Sequence, residues 1–168
     1  MKLPLALLAC TLLAACGARA GAAKGPDLET ILADRPAPTL ADYGLFDDAA
    51  AKHPASGVVP YDLVNPLFSD HALKDRFVFV PEGQKAAYSG TEALDFPVGT
   101  VLVKTFSFAP DLRAPEDGQY KVETRLLIHK ADGWEAIPYV WNEAGTEAVY
   151  APAGKQMDVS FTDPAGTP

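Results

Sequence analysis

The stretch Phe96–Trp141 constrains this chain more than any other. It reads FPVGTVLVKTFSF, then a loop, then YKVETRLLIHK, the turn ADG, and WEAIPYVW. Three runs rich in β-branched and aromatic residues, separated by turn chemistry, predict three successive antiparallel strands. Asp132-Gly133, between the second and third runs, is a strong hairpin signal. Pro138 in the third run predicts an edge or a bulge there, because proline brings no N–H to a ladder. A period of two places Val122, Thr124, Leu126 and Ile128 on one face as core, and Glu123, Arg125, Leu127 and His129 on the other.

The flanking segments read as shorter pieces around this centre. Arg76–Val80, RFVFV, predicts a strand with Phe77 and Phe79 on one face. Gly57–Phe68 is extended but carries Pro60 and Pro66, which confine it to an edge or to a path over the sheet. Ser69 is expected to cap a short helix over Asp70–Lys74, and Thr39 another in the Thr39–Lys52 segment. Ala87-Tyr88 and Ala93–Phe96 predict short strands, Thr146–Ala151 another, and Gln156–Phe161 a last one. Fifteen prolines and 13 glycines in 168 residues argue against long helices, while 48% hydrophobic content suffices for a packed core. The expected fold class is all-β, a mainly antiparallel β-sandwich or partly open barrel with a few short helices.

The N-terminus predicts the compartment. Met1-Lys2 is a minimal charged region, and Leu3–Ala15 is apolar but too short to span a bilayer. It ends Leu13-Ala14-Ala15-Cys16-Gly17, which resembles a bacterial lipobox, with cleavage before Cys16 and lipid on its thiol. The ordinary alternative is a secretory peptide cut after Ala18-Arg19-Ala20. The expected organisation is a lipoprotein signal peptide over 1–15, a flexible tether over 16–38 and one β-rich domain over 39–168. Gly17 after the cysteine, in place of a retaining aspartate, favours the periplasmic side of the outer membrane. The only cysteines are Cys10 and Cys16, so either cut leaves a fold without a disulfide.

Function classes are narrowed mainly by exclusion. A net charge of −8 repels phosphate backbones, so no nucleic-acid partner is expected. Gly99–Thr105 has the outline of a phosphate loop, but Val103 stands where the cradle needs glycine before Lys104. There is no G-x-S-x-G elbow, no partnered nucleophilic cysteine and no dinucleotide fingerprint, so no catalytic residue is assigned. His53, His71 and His129 lack metal-ligand spacing, and Asp111, Glu116 and Asp117 lack EF-hand spacing and read as a solvated turn. One candidate site remains: Glu123, Arg125 and His129 on the polar face of the second strand, Lys104 across from them, and Trp141 on the third strand. Its ordinary reading is a half-solvated sheet face with modest ion pairs. Its functional reading is a charged site with His129 as proton carrier. Beside Trp134 and Tyr139, that site would suit a small ligand-binding protein or enzyme acting on a carbohydrate or aromatic compound. Trp141 and Tyr139 share a face with Ile137, where core packing is the default.

Several blocks taken together carry a resemblance: DYGLF (Asp42–Phe46), GVVPYDLVNPLFSDHALKDRFV (Gly57–Val78), FPVGTVLVKTF (Phe96–Phe106), ETRLLIH (Glu123–His129) and GWEAIPYVWNEAGTEA (Gly133–Ala148). In this order they resemble the N-terminal region of a family of bacterial secreted diheme c-type cytochromes, found beside parallel β-helix repeat proteins. The likeness spans about residues 40–160. It implies an accessory or docking module of a c-type electron-transfer system, with a cytochrome or redox protein as partner. The family's haem attachment motif, C-x-x-C-H, does not occur in this sequence, so the resemblance implies no cofactor for these residues. Haem c would belong only to a further C-terminal region carrying that motif, which makes the chain either shortened or a stand-alone form of the non-haem domain. His71 stands where the family pattern often has tyrosine, so it is not carried over as a ligand.

Overall fold

The computed structural model describes residues 25–168. The signal peptide, Cys16 and the tether up to residue 24 lie outside the described residues. Among the described residues six strands form one antiparallel sheet in chain order: β1 (Val58–Pro60), β2 (Leu73–Phe79), β3 (Val101–Phe108), β4 (Tyr120–Lys130), β5 (Gly133–Trp141) and β6 (Ala148–Tyr150). The fold is thus mainly all-β and antiparallel, with one short helix, α1 (Leu28–Leu32), and two 3-10 turns among the described residues. Among the described residues no helix is long and apolar enough to cross a membrane.

The three central runs form β3, β4 and β5 as their alternation dictates. A two-residue turn, Ala131-Asp132, closes the β4–β5 hairpin, with Lys130 opposite Gly133. Counted from that turn, pairs alternate between bonded and non-bonded types, so Arg125–Pro138 is a non-bonded pair. The proline nitrogen therefore faces away from β4, while the Pro138 carbonyl accepts from the Ala151 N–H at 3.1 Å. Proline in a strand paired on both sides is accommodated because β6 pairs only with Tyr139–Trp141.

One face of the sheet is dry. Phe77, Phe79, Val101, Val103, Thr124, Leu126, Ile128, Ile137, Tyr139 and Trp141 are buried on it. The cover is the N-terminal segment, which contributes Ile31, Ala37, Leu40, Tyr43, Leu45 and Ala55 to the same core. This corrects the expected tether: from Asp27 onward, residues assigned to it are packed structure. Asp27 caps α1 by accepting from the Glu29 and Thr30 N–H groups, and Ile31 is fully buried. The Asp27 N–H donates to the Tyr43 carbonyl, and the Tyr150 backbone N–H donates to the Pro38 carbonyl at 3.0 Å, so both ends of the segment are fastened. The sequence of Pro26–Leu32 allows a short helical turn, with Pro26 at its start and acids in its first turn, but Leu28, Ile31 and Leu32 span too little chain for their period to mark the segment as core.

Two further expectations change. The helix expected over Asp70–Lys74 is a turn followed by strand: Asp70 and His71 both have positive φ, 45° and 65°, and Leu73 opens β2. Consecutive left-handed residues reverse a chain and cannot continue a right-handed helix. The strand expected over Gln156–Phe161 is absent, and the segment makes a single parallel bridge nearby, Asp111 to Thr162.

Candidate functional site: the outward face of the sheet

The residues singled out from the sequence divide between the two faces. Trp141 lies in the core, 2% exposed, and its indole N–H donates to Thr124 Oγ1 at 3.0 Å. The sheet separates it from Glu123, Arg125, His129 and Lys104, which alternate outward. Trp134 also points outward, away from Tyr139 and Trp141, and stacks on His129 with ring centroids 4.6 Å apart. The other imidazole contact is Nδ1 to the Phe96 carbonyl oxygen at 2.7 Å. His129 therefore serves as a packing and hydrogen-bonding group at the hairpin end of β4, four residues along the strand from Arg125. Glu123 and Arg125 line a shallow groove with Pro138 and the 152–156 loop, a groove that includes neither His129, Lys104 nor Trp134. The five residues do not converge on one cavity.

What the tertiary pairing does assemble is a row of cations. Arg76 of β2 pairs with Lys104 of β3, and Lys104 pairs with Arg125 of β4, so three positive side chains cross the sheet side by side. Lys74, two residues before Arg76 on the same face, extends the row. Phe106 lies among them: the Lys104 ammonium is 4.7 Å and the Arg125 guanidinium 5.1 Å from its ring centroid. Two carboxylates answer these four cations. Glu123 grips Arg125 through both oxygens, at 2.5 and 3.0 Å, and Asp62 reaches Arg76 at 3.1 Å. Lys104 makes no ion pair among the described residues. Burial holds its ammonium below the ordinary lysine range, and the neighbouring Arg76, Lys74 and Arg125 charges add to the depression. The Glu123 pairing moves Arg125 the opposite way.

The row is flanked by the segment after β1. Asp62 touches Arg76, Tyr61 donates its N–H to the Arg76 carbonyl, and the Leu67 carbonyl accepts from the Lys74 ammonium at 2.8 Å. Fixed at those points, the segment turns its apolar side chains to solvent: Val64 is 97%, Leu67 77% and Phe68 67% exposed. Of the two paths that Pro60 and Pro66 allow this segment, an edge or a course over the sheet, it opens as the edge strand β1; Lys74, Arg76, Phe106 and the solvent-facing apolar run were not singled out from the sequence. The RFVFV alternation already placed Arg76 outward. Its alignment with Lys104 depends on the 80–100 connection, whose length and turns set the register.

The remaining ionisable groups are dispersed. His53 Nδ1 contacts Asp48 at 2.8 Å, and His71 packs between Phe68 and Phe161. Asp111 is clamped by Arg113, with contacts of 2.6 and 2.9 Å, which hold its carboxyl well down, at about 2. Among the described residues no three His, Cys, Asp or Glu side chains come together as a metal site. The histidines lie apart, and neither cysteine is followed by the x-x-C-H spacing, so these residues do not fit a covalent haem. No known protein family, curated protein or solved structure matches the chain, so the site is read from its own geometry.

Proposed function

We propose that this chain is a docking module of the cell envelope, serving a c-type cytochrome electron-transfer system and binding no haem through these residues. The observation that carries the docking role is the solvent-facing apolar run Leu63–Phe68, beside a sheet face whose groove at Glu123 and Arg125 is shallow. Contiguous exposed apolar surface on a soluble fold marks an interaction site. The redox system comes from the motif resemblance, and the envelope placement from the lipobox at Cys16. Several acyl chains on that cysteine would hold the domain at the membrane surface.

The test is native electrophoresis of detergent-solubilised envelopes, stained for covalent haem. The wild-type protein is expected to comigrate with a haem-staining band while staining for no haem itself. Val64→Asp/Leu67→Asp is expected to release it from that band, and Cys16→Ser to move it out of the detergent phase. Haem stain on this chain, or comigration unchanged by the Val64/Leu67 pair, refutes the reading.

A further inference from the structure

We infer that the docking partner presents a carboxylate-rich protein surface with an apolar centre, and that Lys74, Lys104 and Arg125 receive its acidic side chains, with the buried Arg76 adding fixed positive charge between them. The inference rests on the docking role proposed above and adds the chemistry of the partner.

Three observations carry it. First, the sign of the patch is opposite to that of the chain. A sequence of net charge −8 gathers four cations on one sheet face, and among the described residues Asp62 and Glu123 are the carboxylates paired with them. Surfaces of opposite sign within one molecule steer and orient a partner more than they stabilise the fold. Second, the patch is held in place before any partner arrives. Arg76 is almost completely buried and held by Asp62, the Leu67 carbonyl fixes Lys74, and Phe106 supports both Lys104 and Arg125. Preorganised long side chains lose little rotamer freedom on binding. Third, Lys104 sits half-buried between two arginines with no counter-charge of its own. A carboxylate placed over it relieves repulsion that the free protein carries.

The geometry favours a protein over a small anion. The shallow groove beside the 152–156 loop is lined by Arg125 but not by Lys74, Arg76 or Lys104, and Glu123 already occupies the guanidinium fork of Arg125. A small anion on an open face competes with water and salt for single point charges. The apolar run Val64–Phe68, fastened to the same two β2 residues, adds the dry contact that a protein partner can cover and an ion cannot.

The experiment uses the full chain, isotopically labelled, in two arms. In the first it is titrated by NMR with an oligoglutamate peptide carrying a central leucine, with an oligolysine peptide, and with inorganic phosphate. The acidic peptide is expected to shift the Lys74, Lys104 and Arg125 side-chain signals together with the Val64 and Leu67 methyls. Lys104→Glu/Arg125→Glu is expected to weaken it about tenfold or more, a change of about 1.4 kcal/mol, with the backbone spectrum away from the row unchanged. Oligolysine is expected to leave these signals in place. Phosphate binding the row as tightly as the peptide makes it a small-anion site and overturns the inference. Peptide shifts that miss the row, or that ignore charge reversal, also overturn it. In the second arm the haem-staining comigration is repeated with Lys104→Glu/Arg125→Glu. Loss of comigration supports the acidic partner. Comigration kept by this pair but lost with Val64→Asp/Leu67→Asp overturns the acidic partner and leaves the docking role standing. Comigration kept by both pairs removes the docking role, and with it the inference, whatever the peptide does.

Discussion

Tyr139 shows how a single residue ties the N-terminal cover to the sheet. Its hydroxyl lies 2.9 Å from the Ala37 carbonyl oxygen and 2.8 Å from the Tyr43 hydroxyl, while the Ala37 N–H donates to the same Tyr43 oxygen at 3.1 Å. A carbonyl only accepts, so Tyr139 gives it a proton, and the Tyr43 proton completes the contact between the two hydroxyls. Burial pushes the Tyr139 hydroxyl far up, and its contact with Tyr43 reinforces the shift. Tyr139→Phe leaves a buried carbonyl and a buried hydroxyl each one partner short. It is expected to lower stability by about 1–3 kcal/mol, measured by urea unfolding, and an unchanged midpoint would show that the network contributes nothing. Thr124 plays a similar part on the same face, joining the Trp141 N–H to Thr105 Oγ1 at 2.7 Å.

At the level of elements, two irregularities decide where side chains point. Between Phe106 and Ser107 the β3–β4 register shifts, so that Phe106 faces Glu123 while Ser107 faces Lys121. The extra residue, Val122, switches Lys121 onto the inner face. There its ammonium lies 4.2 Å from the Trp141 ring centroid and donates to the Ala50 carbonyl. A strict period of two would have sent Lys121 outward with Glu123. The second irregularity is Gly99, at φ +89°, where the chain enters β3 and α1 is seated. An added Cβ would stand 2.8 Å from Leu28 Cδ1 and 3.0 Å from Pro81 Cγ. Gly99→Ala is expected to cost about 1–3 kcal/mol through the disfavoured backbone and this crowding. Adding Leu28→Ala removes the nearest of the two contacts and should return part of that loss, as read from the shift in urea midpoint. A Gly99→Ala protein as stable as the wild type would mean that α1 is not seated against Gly99.

For the molecule as a whole, the sheet and its N-terminal cover form one folding unit. Ile31 is fully buried within the same core as Leu126 and Ile137. Ile31→Ala is expected to lower stability by about 2–5 kcal/mol, with a single transition whether followed by tryptophan fluorescence or by far-ultraviolet dichroism. A loss below about 0.5 kcal/mol, the usual size for a surface substitution, would instead make residues 27–38 the tether that their composition suggested. The antiparallel class, the three central strands, the β4–β5 hairpin and the inward positions of Thr124, Leu126 and Ile128 were legible in the sequence, because period-two alternation and turn chemistry are local; Val122, expected inward with them, is instead the half-buried bulge residue. The sequence also identified Lys104, Glu123 and Arg125 as outward charges. Only the tertiary structure decided that Trp141 lies on the opposite face from them, that Lys121 crosses inward at the bulge, and that Arg76, Lys104 and Arg125 stand in one row. Those outcomes depend on strand register, which is set by long connections and by packing against the N-terminal cover, and such pairings leave no periodic trace in the chain.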